Sequence, residues 1–207
     1  MISFLDFLKI DKKFLLEFMP YFYDEELPLQ SLSSLSSTTI KLEYSHIGYI
    51  STHDIDLYEN KQHGGIIAGR LIEDEFYSII RIACEERNLY VNSMQLNEKR
   101  KQIKMVNTDK HFTRFGIAND VYVFIATKFD LISDRIQYKG AKALWKAIAR
   151  QKRINVYVFD ESLKDYLRDE QGHIILYNGS NIDDDDIWGT EDNHHSRLLV
   201  AVDRDLQ

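Results

Sequence analysis

The residues best suited to chemistry lie in one short turn, residues 137–141 (QYKGA), between a β-rich run and an amphipathic segment. At the start of a helix the backbone N–H groups have no partner within the helix and lie at the positive end of its dipole. Lys139 and Lys142 add two cations there, and Gly140 lets the backbone approach a ligand closely because it has no side chain. This combination predicts the binding of a diphosphate or another anion. The basic residues further along the segment also have an ordinary structural interpretation, since cations near the end of a helix complement its dipole.

Three elements are predicted to hold this turn in place. Residues 121–134 (VYVFIATKFDLISD) are rich in β-branched and aromatic side chains, which is typical of a strand. Residues 141–150 predict a helix, because their apolar side chains recur with the spacing i, i+3, i+4, i+7. Those apolar side chains belong to Ala141, Leu144, Trp145 and Ile148. Residues 154–160 (INVYVFD) predict a second strand, and in a strand–turn–helix–strand unit the turn before the helix is the usual place for a negatively charged ligand.

At these residues the chain resembles a known family. The unit is similar to the acyl-CoA-binding core of the GCN5-related N-acetyltransferases (GNAT), whose signature is Gln/Arg-x-x-Gly-x-Gly/Ala. Gln137 and Gly140 match it, and Lys142 stands at the last position, next to Ala141. The resemblance covers residues 121–166. It implies a GNAT-like α+β fold, with a central mixed, mostly antiparallel sheet flanked by helices, and acetyl-CoA or another acyl-CoA as cofactor.

The same resemblance implies roles for individual residues. Family enzymes often use a tyrosine on the helix after the following strand as general acid, and Tyr166 in ESLKDYL occupies a comparable position. A phenol there could protonate the departing thiolate, although a half-buried helix aromatic is the alternative interpretation. The residues implied to hold the acyl-CoA are Ser133, Gln137, Tyr138, Lys139, Gly140 and Ala141. The general base stays open among Asp120, His111 and Glu73.

Composition limits the classes of function. A net charge of −7 argues against non-specific binding of the whole chain to nucleic acid. A local basic segment at residues 99–104 could contact a phosphate, with an exposed turn or helix face as the alternative. The single cysteine, Cys84, fits a reducing compartment and predicts a buried small residue. We expect no signal peptide, because Asp6 interrupts the apolar residues 1–8 and no basic region precedes them, and no run approaches the roughly 18 uninterrupted apolar residues of a membrane span. We therefore expect a cytoplasmic protein that does not associate with a membrane.

The chain is predicted to have three parts. Residues 1–28 form an N-terminal helical segment, residues 29–39 form a Ser-rich connection, and residues 40–207 form a single α+β domain. In that domain residues 74–88 have helical spacing, with a strand as the competing interpretation, and Gly69 is expected at a bulge or a close approach. Further strands are predicted at residues 40–45, 47–52, 66–73, 89–96, 173–179 and 197–203. We expect the last two to form a hairpin or a sheet edge.

Acidic and histidine residues near the C-terminus offer a different kind of site. The run Asp183–Asp186 is expected to be exposed, because consecutive carboxylates repel one another when buried. The run lacks the spacing of a calcium loop. His194 and His195 could take part in a metal-dependent hydrolase, but adjacent histidines on a strand point to opposite faces. No metal site is therefore assigned, and Trp188 is expected to anchor this loop to the core.

Two functions follow from these observations. The first is acyl-CoA-dependent N-acyl transfer to an unknown acceptor. The second is a non-catalytic protein-binding protein of phage or mobile-element type, acting on a host factor and built on the same scaffold. The acidic balance and an aromatic cluster at residues 18–23 favour a protein partner for the second.

Overall fold

The structure of the chain is a computed structural model. It describes residues 32–91, 94–95, 99–113, 116–135, 139–188 and 197–206. The predicted helical segment 1–28 lies outside the described residues, and so do Gln137, Tyr138, His194 and His195. None of the helices in the described ranges has the length and apolar character needed to cross a bilayer.

The described chain is α+β, with four helices and a mixed, mostly antiparallel pairing of its strands, as predicted. It divides into two compact units. Within the described ranges, unit 1 contains residues 32–85 and 103–121, and unit 2 contains residues 86–102 and 122–206. The prediction of a single domain over residues 40–207 stays a prediction.

Unit 1 is an antiparallel meander. Its elements are β1 (Leu35–Ser36), α1 (Ser37–Glu43), β2 (Tyr44–Ile50), β3 (Ile55–Asn60), β4 (Ile66–Ile72), β5 (Glu75–Glu86) and most of β8 (Arg100–Thr108). Its strands follow the order β8-β5-β4-β3-β2, and β1 pairs with β5. One face carries the apolar cluster Ile40, Tyr44, Ile67, Phe76 and Ala83. Burial of this cluster is what holds α1 against the sheet.

Unit 2 contains the remaining elements. They are β6 (Tyr90–Val91), β7 (Met94–Gln95), the first residues of β8, β9 (Asp130–Ile132), α3 (Lys139–Gln151), β10 (Asn155–Asp160), β11 (Asp165–Tyr166), α4 (Asp184–Trp188) and β12 (Arg197–Val202). The order is β11-β10-β12-β9-β8, and β6 pairs separately with β7. The helix α2 (Ile117–Ala126) begins among the residues of unit 1 and ends among those of unit 2.

Several predicted elements are confirmed. The helix α3, the strands β4, β10 and β12, and the buried positions of Cys84 and Trp188 all agree with the sequence patterns. Gly69 lies at a register shift between Ala68 and Gly69 in the β4–β5 pair. A Cβ atom there would lie 2.1 Å from the carbonyl oxygen of Tyr77, so the predicted close approach of two backbones is real.

The predicted central strand 121–134 is wrong. Residues 117–126 form α2, and a strand follows only at Asp130–Ile132. The apolar run misled the prediction because Val121, Tyr122, Val123 and Ile125 are all buried. A helix that is buried on most sides carries a continuous apolar run, which periodicity cannot distinguish from a buried strand.

Three further predictions fail for related reasons. Residues 75–86 form a strand, so the competing interpretation is confirmed and the helical one is wrong; Ile79–Cys84 are buried on both faces and therefore do not alternate. Residues 40–43 belong to α1, because the Oγ atom of Ser36 accepts a hydrogen bond from the backbone N–H of Thr39 at 3.1 Å and caps a helix. The basic segment 99–104 enters β8 instead of an exposed turn or helix face, and it buries Arg100 and Lys101.

The predicted C-terminal hairpin is also wrong. Residues 173–179 make only two isolated bridges in the described chain, Arg168↔Ile174 and Tyr157↔Leu176. The strand β12 pairs with β10 over its whole length and with β9 at Val200 and Ala201. The long-range partners of β12 supply apolar neighbours on both sides, which a local hairpin would not provide.

Candidate functional site

Ser133 uses its polar groups to join strands. Its N–H donates to the carbonyl of Leu199 at 2.9 Å, and its Oγ accepts from the N–H of Leu199 at 2.9 Å. The side-chain amide of Gln102 donates to its carbonyl at 3.1 Å. Ser133 is buried, so its described hydrogen bonds give it a structural role at the end of β9.

The start of α3 is open to solvent. Lys139 and Gly140 are exposed, and Ala141 is half-buried. A Cβ atom on Gly140 would meet nothing within 4 Å, so no protein backbone approaches this glycine closely. Gln137 and Tyr138, the other predicted ligands of an acyl-CoA, lie outside the described residues. Of the predicted cofactor-binding residues, only Lys139, Gly140 and Ala141 are therefore seen together.

The basic face of α3 is occupied by a carboxylate of the chain itself. Lys146 Nζ lies 2.7 and 2.9 Å from the two carboxylate oxygens of Asp184, and Lys142 Nζ lies 3.2 Å from one of them. Burial alone would raise the pKa of Asp184, but the hydrogen bonds from Lys146 and Lys142 outweigh it and lower the pKa below its ordinary value. These two lysines are therefore partners of the acidic run, of which Asp183, Asp185 and Asp186 stay exposed.

Tyr166 lies on a strand and not on a helix as predicted. It is the second residue of β11 and pairs with Phe159 of β10. Its ring makes edge contacts with the rings of Phe159 and Tyr157, at centroid distances of 5.3 and 6.1 Å. Tyr166 is buried in the main apolar cluster of unit 2, a position that agrees with packing. Its role as general acid stays a prediction.

A second strand–turn–helix–strand unit lies earlier in the chain. Among the described ladders, β8 and β9 form the parallel pair. Residues 100–102 of β8 pair with residues 130–132 of β9, and α2 connects the two strands. In units of this kind ligands bind beyond the carboxyl end of the first strand, at the start of the helix. Of the described residues, 109–113 and 116–118 occupy that place, and all of them belong to unit 1.

The turn into α2 has two of the features that the sequence suggested for α3, a glycine and the start of a helix, and it carries an acid, Asp120, in its first turn. Gly116 is exposed and has a φ of 74°, a left-handed conformation that glycine adopts without strain. The backbone N–H groups of residues 117–119 follow it in the first helical turn. Asp109 steadies the loop by accepting hydrogen bonds from the N–H groups of His111 at 3.0 Å and Leu32 at 2.8 Å. This turn can present amides to an anion.

The same helix brings Asp120, one of the open candidates for the general base, to a histidine that the sequence analysis did not single out. Asp120, in the first turn of α2, lies with Oδ2 2.7 Å from Nε2 of His53 in the turn between β2 and β3. Both side chains are about 20% exposed, so solvent and a ligand can reach the pair. Arg70 fixes the turn by donating to the carbonyls of His53 at 2.7 Å and Asp54 at 2.9 Å. A histidine oriented by a carboxylate can serve as a general base.

Sequence reasoning missed this site for two reasons. His53 and Asp120 are 67 residues apart, and nothing local relates them. The only local signal at the turn is Gly116, which directly precedes the apolar run that forms α2. Of the other open candidates for the base, His111 is exposed in the same loop, and Glu73 lies in the turn between β4 and β5.

No protein-family model matches the chain, and no curated protein is significantly similar to it. The functional conclusion therefore depends on the geometry described above.

Proposed function

We propose that the protein is an acyl-CoA-dependent N-acyltransferase with a GNAT-like fold, and that the donor diphosphate binds at the turn into α2. The observation that carries this proposal is the parallel β8–α2–β9 crossover, which opens its helix directly after Gly116. The backbone amides of Ile117 and Ala118 at the start of α2 favour a diphosphate, and the missing side chain of Gly116 leaves room for its approach. The equivalent turn before α3, which the sequence suggested, has a weaker claim because Lys142 and Lys146 already contact Asp184.

The His53–Asp120 pair supplies the second requirement of such a reaction. The amine of the acceptor attacks the thioester carbonyl, the new C–N bond forms, and the C–S bond breaks to release the thiolate of coenzyme A. His53 takes the proton that the acceptor, a cation at neutral pH, must lose before attack, while Asp120 holds the ring in orientation through the 2.7 Å contact. The nitrogen gives up a second proton to water as the amide forms. The thiolate takes up one proton, from Tyr166 or from water, and the buried position of Tyr166 favours water.

Two matched variants test the location of the donor site by calorimetry with acetyl-CoA. Ala118→Glu places a carboxylate among the amides of α2, and Ala141→Glu does the same at α3; both alanines are half-buried. We expect Ala118→Glu to weaken binding by at least about tenfold, since like charges repel, and Ala141→Glu to bind like the wild type. If instead Ala141→Glu weakened binding and Ala118→Glu did not, the donor diphosphate would bind at the start of α3. If the wild-type protein did not bind acetyl-CoA at millimolar concentration, the proposed N-acyltransferase function would be wrong.

The runner-up is a non-catalytic protein-binding function on the same scaffold. It is favoured by large apolar side chains that are exposed near the β4–β5 turn, namely Ile72 and Tyr77. A protein that binds a macromolecular partner but neither binds acetyl-CoA nor acylates an amine would have this function.

A further inference from the structure

An exposed apolar patch lies at the tip of the β4–β5 hairpin in unit 1. Ile72 is 54% exposed and Tyr77 is 47% exposed, which is unusual for large apolar side chains so close together. Arg70 lies opposite Tyr77, and Ile72 lies opposite Glu75. Residues directly opposite in an antiparallel pair share a face, and so do residues two apart on one strand. Arg70, Ile72, Glu75 and Tyr77 therefore form one surface, which we name the hairpin-tip surface.

The other face of the hairpin belongs to the core. Leu71, between Arg70 and Ile72, lies opposite Phe76, which is fully buried in the apolar cluster of unit 1. Leu71 is 46% exposed, so it resembles Ile72 in exposure but differs in the face that it occupies. This difference makes Leu71 a matched control for the surface.

Acidic side chains surround the hairpin-tip surface. Glu73, Asp74 and Glu75 are exposed at the turn, and Asp54 is exposed beside Arg70, at 3.8 Å from its guanidinium. Four carboxylates therefore accompany one cation. A partner that buries the apolar side chains must bring cations to this rim, because electrostatic complementarity excludes an acidic surface. The occupant that fits is a polypeptide with lysine or arginine beside an apolar side chain.

The surface is connected to the candidate base. Arg70 donates hydrogen bonds to the carbonyl groups of His53 and Asp54, so the hairpin tip and the turn that carries His53 are held together within unit 1. An amine acceptor is cationic at neutral pH, and an acidic rim attracts it. His53 can then accept the proton that the amine must lose before attack.

We propose that the hairpin-tip surface binds a lysine-containing segment of a basic polypeptide, which is the acyl acceptor. The role as acceptor depends on the proposed N-acyltransferase function, whereas the docking of a basic polypeptide does not.

The test uses a defined probe, a fluorescent peptide that alternates lysine and leucine, with a glutamate–leucine peptide of equal length as its negative counterpart. Anisotropy measures binding to the wild type, to the double variant Ile72→Ser/Tyr77→Ser, and to Glu73→Gln/Asp74→Asn/Glu75→Gln. We expect both variants to bind the lysine peptide about tenfold or more weakly, because each removes a central part of the contact. The control Leu71→Ser should bind like the wild type, and the glutamate peptide should not bind.

Equal affinity of the double variant and the wild type would overturn the docking surface, and so would equal binding of the two peptides. Circular dichroism and thermal melting establish that the variants fold. If a variant fails to fold, chemical shift changes on the wild-type protein give the same decision, since the lysine peptide must perturb Ile72 and Tyr77 more than Leu71.

The failure of this proposal is distinguishable from the failure of the enzyme. Ala118→Glu should keep the wild-type affinity for the lysine peptide, because α2 is not part of the hairpin-tip surface. If the protein bound the peptide but not acetyl-CoA, the acceptor role and the N-acyltransferase function would both be wrong. The docking surface would still be supported. Acetyl-CoA binding without any effect of Ile72→Ser/Tyr77→Ser on peptide affinity would overturn the docking surface alone. With both ligands present, mass spectrometry should detect acetylated lysine, with a raised KM in the double variant.

Discussion

Asp130 begins β9 with its carboxylate between two guanidinium groups. It accepts hydrogen bonds from Nη1 and Nη2 of Arg204 at 2.6 and 2.7 Å, and Nε of Arg100 lies 3.3 Å from Oδ2. The side chains of Asp130 and Arg100 are 4% and 1% exposed, whereas that of Arg204 is 41% exposed. A cation as deeply buried as Arg100 requires a carboxylate beside it. Asp130 is therefore the residue that permits a basic segment to enter the sheet.

Replacing Asp130 by alanine should destabilise the protein by roughly 3–5 kcal/mol, because it leaves Arg100 buried without its carboxylate. Urea unfolding followed by circular dichroism measures the change. Arg204→Ala is the control, and it should cost only about 1 kcal/mol, since Arg204 is largely solvated and Asp130 would keep Arg100. Equal losses in the two variants would contradict the assignment of the buried pair.

Asp184 makes stability depend on pH. Its pKa in the folded protein is lowered by hydrogen bonds from Lys146 and Lys142, against the effect of burial. The pKa of an aspartate in the unfolded chain is about 3.9. Because the pKa of Asp184 is lower in the folded protein, its ionised form stabilises the fold at any pH above that unfolded value. The protein loses this stability as the pH falls through the pKa of the folded state. Asp184→Asn should therefore cost up to about 1 kcal/mol at pH 7 and less below pH ~4, a small effect because the pair is partly exposed.

Urea unfolding at pH 7 and at pH 3 measures this difference. Asp185→Asn removes a neighbouring exposed carboxylate and should change stability little at either pH. If the cost of Asp184→Asn were the same at pH 3 as at pH 7, the contacts with Lys142 and Lys146 would not contribute to stability.

At the scale of single elements, the β4–β5 pair depends on Gly69. A methyl group there would lie 2.1 Å from the backbone oxygen of Tyr77, and backbone cannot move aside as a flexible side chain can. Gly69→Ala should therefore destabilise the protein by roughly 1–3 kcal/mol. Gly140→Ala is its counterpart in α3, where the space is empty, and it should stabilise the protein by about 0.4–1 kcal/mol.

Thermal denaturation of both glycine variants measures the two effects. The second variant also tests the site, because Gly140→Ala should leave acetyl-CoA affinity unchanged if the donor binds at α2. Stabilisation by Gly69→Ala would mean that the two backbones are not in contact.

The sequence was most informative where one face of an element is exposed. The spacing around Trp145 predicted α3 correctly, and the runs that became β4, β10 and β12 were also found. The prediction failed at α2 and β5, because a run such as Val121–Val123 is buried on most sides and its pattern lacks a polar face. The intrinsic β-propensity of valine and tyrosine then favours a strand, whereas tertiary packing makes this segment a helix.

The candidate site was predictable only in its chemistry. An anion at a glycine turn before α3 was expected and stays a prediction, whereas the turn into α2 was not expected, because α2 was taken for a strand. The pairing of His53 with Asp120 follows from the docking of a hairpin turn against the first turn of α2, which no local pattern encodes. Ser133 and Tyr166 were selected by resemblance; both are buried, and their predicted roles at the site stay predictions.

At the scale of the whole chain, which has a net charge of −7, the carboxylates have different environments. Some carboxylates balance buried or helical cations, as Asp130 and Asp184 do. The carboxylates at the β4–β5 turn are exposed and available to a partner. Net charge alone would assign both groups to solubility, whereas the structure separates those that hold the fold from those that can recognise another molecule.

The position of β12 has a consequence for synthesis of the protein. This strand lies between β9 and β10, yet it follows both of them along the chain, and 36 residues separate β10 from it. Between the emergence of β10 from the ribosome and the emergence of β12, β9 and β10 expose apolar edges that have no strand to join them. Such edges are prone to aggregate or to engage chaperones. The protein should therefore be most vulnerable during that interval.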